Sequence, residues 1–236
     1  MIINNAVLEF NQKGYLVYSE SFLGSYVRGS TLDEALGKFP DEIRKYCLWA
    51  QLNLAKERRV LTKIVQEKES NLQIDDADSE VIFDCERLPL TLKEYEYLMQ
   101  LSLKSAYDFL LLFQSIPDKY MTSLKKRKTF YGFIPTTAKE MYDHTNNVTS
   151  YYVGEIGIDI KNTSDIFANR VQAFKAIELK TNYLENEIYQ GSYGEEWSLR
   201  KVMRRFIWHD RIHAKAMYRM AKNIWDAKNL SNPFFF

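Results

Sequence analysis

The feature that most constrains this chain is a change of hydrophobic period near residue 90. After it, apolar residues recur at intervals of three and four, which predicts long amphipathic helices. Thr91-x-x-Glu94 and Thr137-x-x-Glu140 are capping boxes that would begin two of them. The predicted helices cover residues 91–114, 137–158, 164–188 and 195–227. Four helices of this length predict an all-α, up-down four-helix bundle over residues 91–236.

Residues 1–90 follow a different pattern. Short alternating stretches, AVLEF and GYLVYSES, flank the turn NQKG and predict a β-hairpin. Thr31-x-x-Glu34 begins a helix that Pro40 is expected to kink or divide. The charged residues 55–70 are compatible with helix or loop, and either a strand pair or a single strand after a turn is expected within residues 71–84. The order β-β-β-α-β predicts an α+β domain over residues 1–90, ending at Leu88-Pro89-Leu90.

Charge is divided unevenly along the chain. The 236 residues carry a formal net charge of +1, but residues 1–90 hold 11 Lys and Arg against 15 Asp and Glu. This asymmetry indicates two parts that fold as separate units. Neither part is basic enough to predict nucleic-acid binding, and the basic run KKRK at residues 125–128 is expected in a solvated loop.

The cysteines and the apolar runs bear on the compartment. Cys47 and Cys85 form no CxxC motif and are expected to be unpaired thiols in a reducing compartment. No basic segment precedes an apolar run at the start of the chain, and no apolar run approaches the ~20 residues that span a bilayer. These features predict a cytoplasmic protein without a membrane partner.

All three histidines of the chain lie in its helical part. His209 and His213 fall on the apolar seam of the last predicted helix, and His144 falls on the seam of the second. Residues at i and i+4 stand above one another on a helix, so His209 and His213 can present two nitrogens to one cation, with His144 as a third ligand. Three imidazoles suit Zn, Ni, Fe(II) or Cu. Histidines that are only hydrogen-bonded in a metal-free core are the alternative.

The helical part resembles the DinB-like superfamily. EEWSLRKVMRRFIWHDRIHAKAMYRMA, residues 195–221, is similar to the last helix of that family, and TTAKEMYDHTNNVTSYYVGEI, residues 136–156, is similar to its second. The resemblance implies a four-helix bundle in which His144, His209 and His213 ligate a divalent metal, Zn or Ni before Fe. It also implies a transferase that activates a low-molecular-weight thiol such as bacillithiol, mycothiol or glutathione.

The N-terminal part has a resemblance of its own. GSYVRGSTLDEAL, residues 24–36, is similar to the GxxxxGxTxEEAL signature of the HicB-like fold, a β-β-β-α-β unit found in antitoxins. This chain has no DNA-binding tail after that unit, so a domain that packs on the bundle or forms a homodimer is as well supported as an antitoxin.

Two functions therefore remain open. In the first, the protein is a metal-dependent enzyme acting on a thiol and an electrophilic substrate, and Arg204, Arg211 and Lys215, with Arg200, form a basic stripe that holds the anionic thiol. Such stripes are commonly solvated helix faces. No catalytic residue is assigned, since Asp143 and Asp210 are only weak candidates for a general base. In the second, the protein is a binding module with a structural metal, whose HicB-like domain contacts protein or nucleic acid.

Overall fold

The computed structural model describes residues 1–53, 59–129 and 132–236. The chain is α+β, with a mixed four-stranded sheet followed by a helical region. The strands are β1 Ile2–Asn11, β2 Gly14–Ser19, β3 Tyr26–Gly29, β4 Val60–Glu69, β5 Lys128–Thr129, β6 Gly132–Phe133, β7 Tyr189–Gln190 and β8 Glu196–Trp197. The helices are α1 Leu32–Gly37, α2 Phe39–Trp49, α3 Leu92–Ser115, α4 Ala138–Gly154, α5 Ile166–Glu178 and α6 Leu199–Lys222.

The N-terminal sheet has the strand order β3-β2-β1-β4. The predicted hairpin is confirmed as the antiparallel pair β1 and β2, and β4 returns parallel to β1 after the helices. Pro40 divides the predicted helix, because it lies in the first turn of α2, where its missing N–H has no partner to lose. Apolar residues of the sheet and the two helices form one core, including Ala6, Leu8, Val17, Phe39 and Ile43.

One prediction for this region is wrong in its details. The last strand of the β-β-β-α-β order is β4 at residues 60–69, whereas helix or loop was expected over residues 55–70 and the strand over residues 71–84. Of that first stretch, residues 55–58 lie outside the described residues. Residues 71–84 instead contain the short 3-10 turn Ile74–Asp76 and the start of a second, Asp84–Arg87. β4 alternates half-buried and exposed positions. Because many of its side chains are charged, its sequence resembles a solvated segment more than a strand.

The helical region follows the capping signals. Both predicted capping boxes are present, with the Thr91 hydroxyl accepting from the Glu94 N–H and the Thr137 hydroxyl accepting from the Glu140 N–H. Three helices end earlier than the sequence predicts: α4 at Gly154, α5 at Glu178 and α6 at Lys222. The residues between α5 and α6 form 3-10 turns and the small β7–β8 hairpin.

The four long helices do not pack in simple sequence order. α3 packs against α5 and α6, and α4 also packs against α5 and α6, whereas α3 and α4 barely touch. The predicted up-down order would place consecutive helices side by side, which short connections enforce. Here the connection between α3 and α4 is long and includes the paired strands β5 and β6. A connection of this length allows α4 to lie away from α3.

The N-terminal and helical parts share their interior. Tyr46 and Trp49 of α2 belong to the same apolar cluster as Phe109 of α3 and Met217 of α6. Trp208 of α6 packs into a second cluster with sheet residues such as Tyr18. The Trp49 indole N–H also donates to Asp108 Oδ2 at 2.7 Å. The division at residue 90 therefore separates two folding patterns whose cores are continuous.

Helix length and composition are also relevant to membranes. Among the helices of the described residues, none combines enough length with enough apolar character to cross a bilayer.

Candidate metal centre

The three histidines converge on one point between two helices. His144 comes from α4, and His209 and His213 come from α6, which packs against α4. One ring nitrogen from each lies within 4.8 Å of the others, and the Nε2 atoms of His144 and His209 are 3.2 Å apart. The ring centroids are separated by 4.5 to 5.0 Å. The structure thus brings together all the predicted metal ligands.

The cluster lies at the edge of the helical region. His209 is 8% exposed, His213 is half-buried and His144 is exposed. Seam positions are expected to face the interior, and His209 does so, whereas His213 and His144 lie nearer the surface with their ring nitrogens turned toward His209. An anchor in the interior and a ligand at the surface leave one side of the cluster open to solvent.

The spacing of one pair of the nitrogens fits a metal ion. For Zn–N bonds of 2.0–2.1 Å, two ligand nitrogens in a tetrahedral site are about 3.3 Å apart. The Nε2 atoms of His144 and His209, at 3.2 Å, have that separation. A hydrogen bond in which one ring donates to the other would have the same distance. Reconstitution with metal distinguishes a metal site from such a hydrogen bond. No carboxylate or thiol joins the cluster within the described residues, and a donor set of imidazoles alone suits Zn, Ni, Fe(II) or Cu.

One buried polar atom at the site is unpaired. His209 Nδ1 is buried and makes no hydrogen bond with the described residues. An unpaired buried polar nitrogen costs about 1–3 kcal/mol unless something compensates for it. A metal bound at Nε2 would account for the orientation of the ring, although the usual hydrogen-bonded partner of the other nitrogen is not present.

The pKa values favour neutral imidazoles. Burial, followed by the neighbouring His213 and His144 and the charges of Arg205 and Arg170, holds the pKa of His209 well below its ordinary value. Burial and His144 lower the pKa of His213 to about 3. Partial burial of its ring also lowers the pKa of His144, although the residue as a whole is exposed. Neutral rings at pH 7 keep their lone pairs available for a cation.

Aromatic side chains surround the buried end of the cluster. The Tyr152 ring lies edge-on to His209 with 6.0 Å between centroids, and Trp208 packs at 6.4 Å. Tyr152 also contacts Trp197, which is completely buried. These rings exclude water from one side of His209 and fix the position of its imidazole.

The aspartates beside the ligands have different roles. Asp210 is fully buried and forms a two-pronged ion pair with Arg170 of α5, at 3.2 and 3.3 Å. Asp143 is half exposed and pairs with Lys139 one turn earlier. Neither is directed at the histidine cluster by these contacts. Asp210 is therefore a structural residue, because it neutralises a buried guanidinium.

The predicted basic stripe has partners inside the protein. Arg204 and Arg211 are fully buried, and their guanidinium groups bind the carboxylates of Glu86 and Glu42. Lys215 Nζ lies 3.5 Å from Glu42, the carboxylate that Arg211 binds. The expectation that these three residues hold a thiol is corrected accordingly: their charges are used to join α6 to the N-terminal part, so they do not form an open anion site or a solvated face.

Sequence reasoning missed the buried partners of α6. Arg170, Glu42, Glu86 and Glu195 each neutralise an opposite charge inside the protein. The signal for Glu42 and Glu86 was the acidic balance of residues 1–90 against the basic remainder. That complementarity indicates two surfaces that pair with each other.

Comparison with known proteins identified no relative of this chain. No family model, curated protein or solved structure matches this chain. The assignment of the site therefore depends on its own geometry.

Proposed function

We propose that His144, His209 and His213 bind one divalent transition metal, zinc or nickel before iron, and that the protein is a DinB-like metal-dependent transferase. The observation that carries the proposal is the convergence of three imidazole nitrogens from two helices within 4.8 Å. The residues match the ligand positions of the DinB-like motif one by one, in the second and last of the four long helices. In this proposal α3, α4, α5 and α6 form the four-helix bundle of that superfamily.

The reaction class depends on the open side of the site. A bound divalent metal would lower the pKa of a thiol or water at its free position, which supplies a nucleophile at neutral pH. The chain itself holds His209 rigidly in the interior and presents His144 at the surface, so a low-molecular-weight thiol and an electrophile can approach from solvent. No side chain of the chain is assigned as a proton donor or acceptor.

The N-terminal part has a supporting role in this proposal. We infer a HicB-like unit from the β-β-β-α-β order and from two glycines of the signature. Gly24 has φ +89°, and a Cβ there would lie 2.4 Å from Ile207 Cγ2 of α6. A Cβ at Gly29 would lie 2.6 Å from the Ala35 nitrogen. Gly24 allows the unit to pack closely on the metal-bearing helix, which supports a packing domain over a free antitoxin.

Metal content is the first test. We expect the untagged protein, loaded with Zn²⁺ or Ni²⁺ and dialysed, to retain about one metal per chain by inductively coupled plasma mass spectrometry. His209→Ala should lose more than 90% of it, because loss of mere outer-shell partners already weakens metal sites by about 10–100-fold. Asp143→Asn, which alters an exposed neighbour of His144, is the matched control and should retain the metal.

The same experiment separates the alternatives. Retention of metal by His209→Ala, or a wild type that stays empty after loading, would contradict the proposed site. Metal bound without transfer of bacillithiol, mycothiol or glutathione to an electrophile such as a chloronitrobenzene would favour the binding module with a structural metal. Transfer activity that disappears with the metal and returns with it supports the enzyme.

A further inference from the structure

A second surface lies in the connection between α3 and α4. We call residues 120–129 and 132–133 the basic–apolar loop. Four of its large apolar side chains face solvent: Tyr120 at 71% exposure, Phe133 at 73%, Met121 and Leu124. Lys125, Lys126 and Lys128 are exposed as well. Apolar side chains gathered on one exposed segment indicate an interaction site.

The loop is held in place at its base. The Thr122 hydroxyl donates to the Thr136 carbonyl, and the Ser123 hydroxyl donates to the Met220 carbonyl at the end of α6. The β5–β6 pairing sets Lys128 directly opposite Phe133, so a cation and an aromatic ring share one end of the hairpin. The protein thus presents cations and apolar groups together on an anchored projection.

The charge of the loop selects an anionic partner. From Tyr120 to Phe133 the sequence contains four Lys and Arg and no Asp or Glu. Arg127 is engaged with Asp76 of the N-terminal part, so the cations left to face a partner are lysines. Lysine is a strongly hydrated point charge, whereas nucleic-acid recognition favours the planar fork of arginine.

The apolar side chains favour lipid over nucleic acid. Met121 and Leu124 are aliphatic and offer no ring for a base to stack on, but they can enter the region between headgroups and acyl chains. Tyr120 and Phe133 suit the same depth, where aromatic rings are enriched. Lysines beside them would attract an anionic headgroup layer.

We propose that the basic–apolar loop docks the protein on an anionic lipid surface. This proposal revises the expectation of no membrane partner. That expectation depends on the lack of a membrane-spanning segment, whereas a peripheral protein binds a membrane surface without spanning it. The proposal is independent of the metal site.

Vesicle sedimentation with the full-length protein tests it. We expect binding to vesicles of phosphatidylserine and phosphatidylcholine, weakening as salt rises, and no binding to phosphatidylcholine alone. Lys125→Gln with Lys126→Gln should lower the partition coefficient about 25-fold, at about five-fold per lysine. Phe133→Ser should lower it about ten-fold. The control, Lys13→Gln with Lys161→Gln, removes two exposed lysines elsewhere and should change little.

A second readout reports insertion directly. Tyr120→Trp places an indole on the loop, and its emission should shift to the blue only with the anionic vesicles. Unchanged circular dichroism and thermal unfolding in every variant confirm that the fold is intact. No sedimentation at low salt, equal binding by the loop and control variants, or loop-dependent binding to an RNA oligonucleotide without binding to vesicles would overturn the proposal.

Discussion

α6 carries two sets of buried polar side chains that differ in how they are paired. In the first set, Lys201, Arg204 and Arg205 are buried and each binds a carboxylate or carbonyl of this chain. In the second set, His209 and His213 are turned toward each other and toward His144, and His209 Nδ1 has no partner among the described residues. One helix thus carries both a structural set of charges and a set of imidazoles that no acid joins within the described part of the chain.

The paired cations stabilise the protein itself, whereas the unpaired imidazoles are suited to bind a ligand from outside it. The cations of the first set join α6 to the N-terminal part and to the turn before the helix, through Glu86 and Glu195. Buried charges are tolerated when they are paired, and all of these are. The imidazoles are brought together without any such pairing, which is the arrangement that a metal ion completes.

The largest expected effect tests the paired charges. Asp210→Ala leaves the Arg170 guanidinium buried without its carboxylate, and removal of one partner of a buried pair destabilises a protein by about 3–5 kcal/mol. Urea unfolding of the metal-free protein should show this loss. Asp143→Ala, at an exposed pair, should change the unfolding free energy by less than about 0.5 kcal/mol. Equal stability of the two variants would contradict the distinction between buried and exposed pairs.

An intermediate effect tests the imidazoles. Zn²⁺ at 100 times its dissociation constant should stabilise the folded protein by about 2.7 kcal/mol, because it binds only the assembled site. For a chain of this size we expect a rise of roughly 5–10 °C in the unfolding temperature. Differential scanning calorimetry with Zn²⁺, and with Mg²⁺ as the control, measures it. A rise of the same size in His209→Ala would show that zinc acts elsewhere.

The smallest effect is the pH dependence of the metal-free protein. The pKa of His213 is about 3 and that of His209 is well below its ordinary value, so the unfolded chain, with histidine pKa near 6.5, binds more protons below pH 7. Stability therefore falls as pH falls, by about 1 kcal/mol between pH 7 and pH 6 for these two groups. Urea unfolding at the two pH values checks it, and His209→Gln with His213→Gln should flatten the slope. A slope of the opposite sign would contradict the depressed pKa values.

Local signals predicted much of the fold. The capping boxes at Thr91 and Thr137 and the hairpin around NQKG lie where the sequence places them, because each depends on residues close together in the chain. β4 was not predictable, since its pairing partner β1 lies some sixty residues away and its own pattern is charged. The packing order of the helices depends on the long α3–α4 connection, whose path the sequence does not encode locally.

The candidate site also has features that the sequence predicts and features that it does not. Helical spacing alone places His209 and His213 together, and the seam of α4 brings His144 to them. The burial of Arg204 and Arg211 could not be read from spacing, because a basic stripe looks the same whether it faces solvent or the acidic unit of its own chain. The opposite charges of the two parts were the available signal.

X-ray absorption at the zinc edge tests the central claim most directly. We predict about one zinc per chain with three imidazole nitrogens at about 2.0–2.1 Å and a further light atom from solvent, without a sulfur shell. In His144→Ala, we expect either two imidazole ligands instead of three or no bound zinc. A sulfur shell near 2.3 Å, which would place the metal at Cys47 or Cys85, or an imidazole count unchanged in His144→Ala, would contradict the assignment of this histidine cluster.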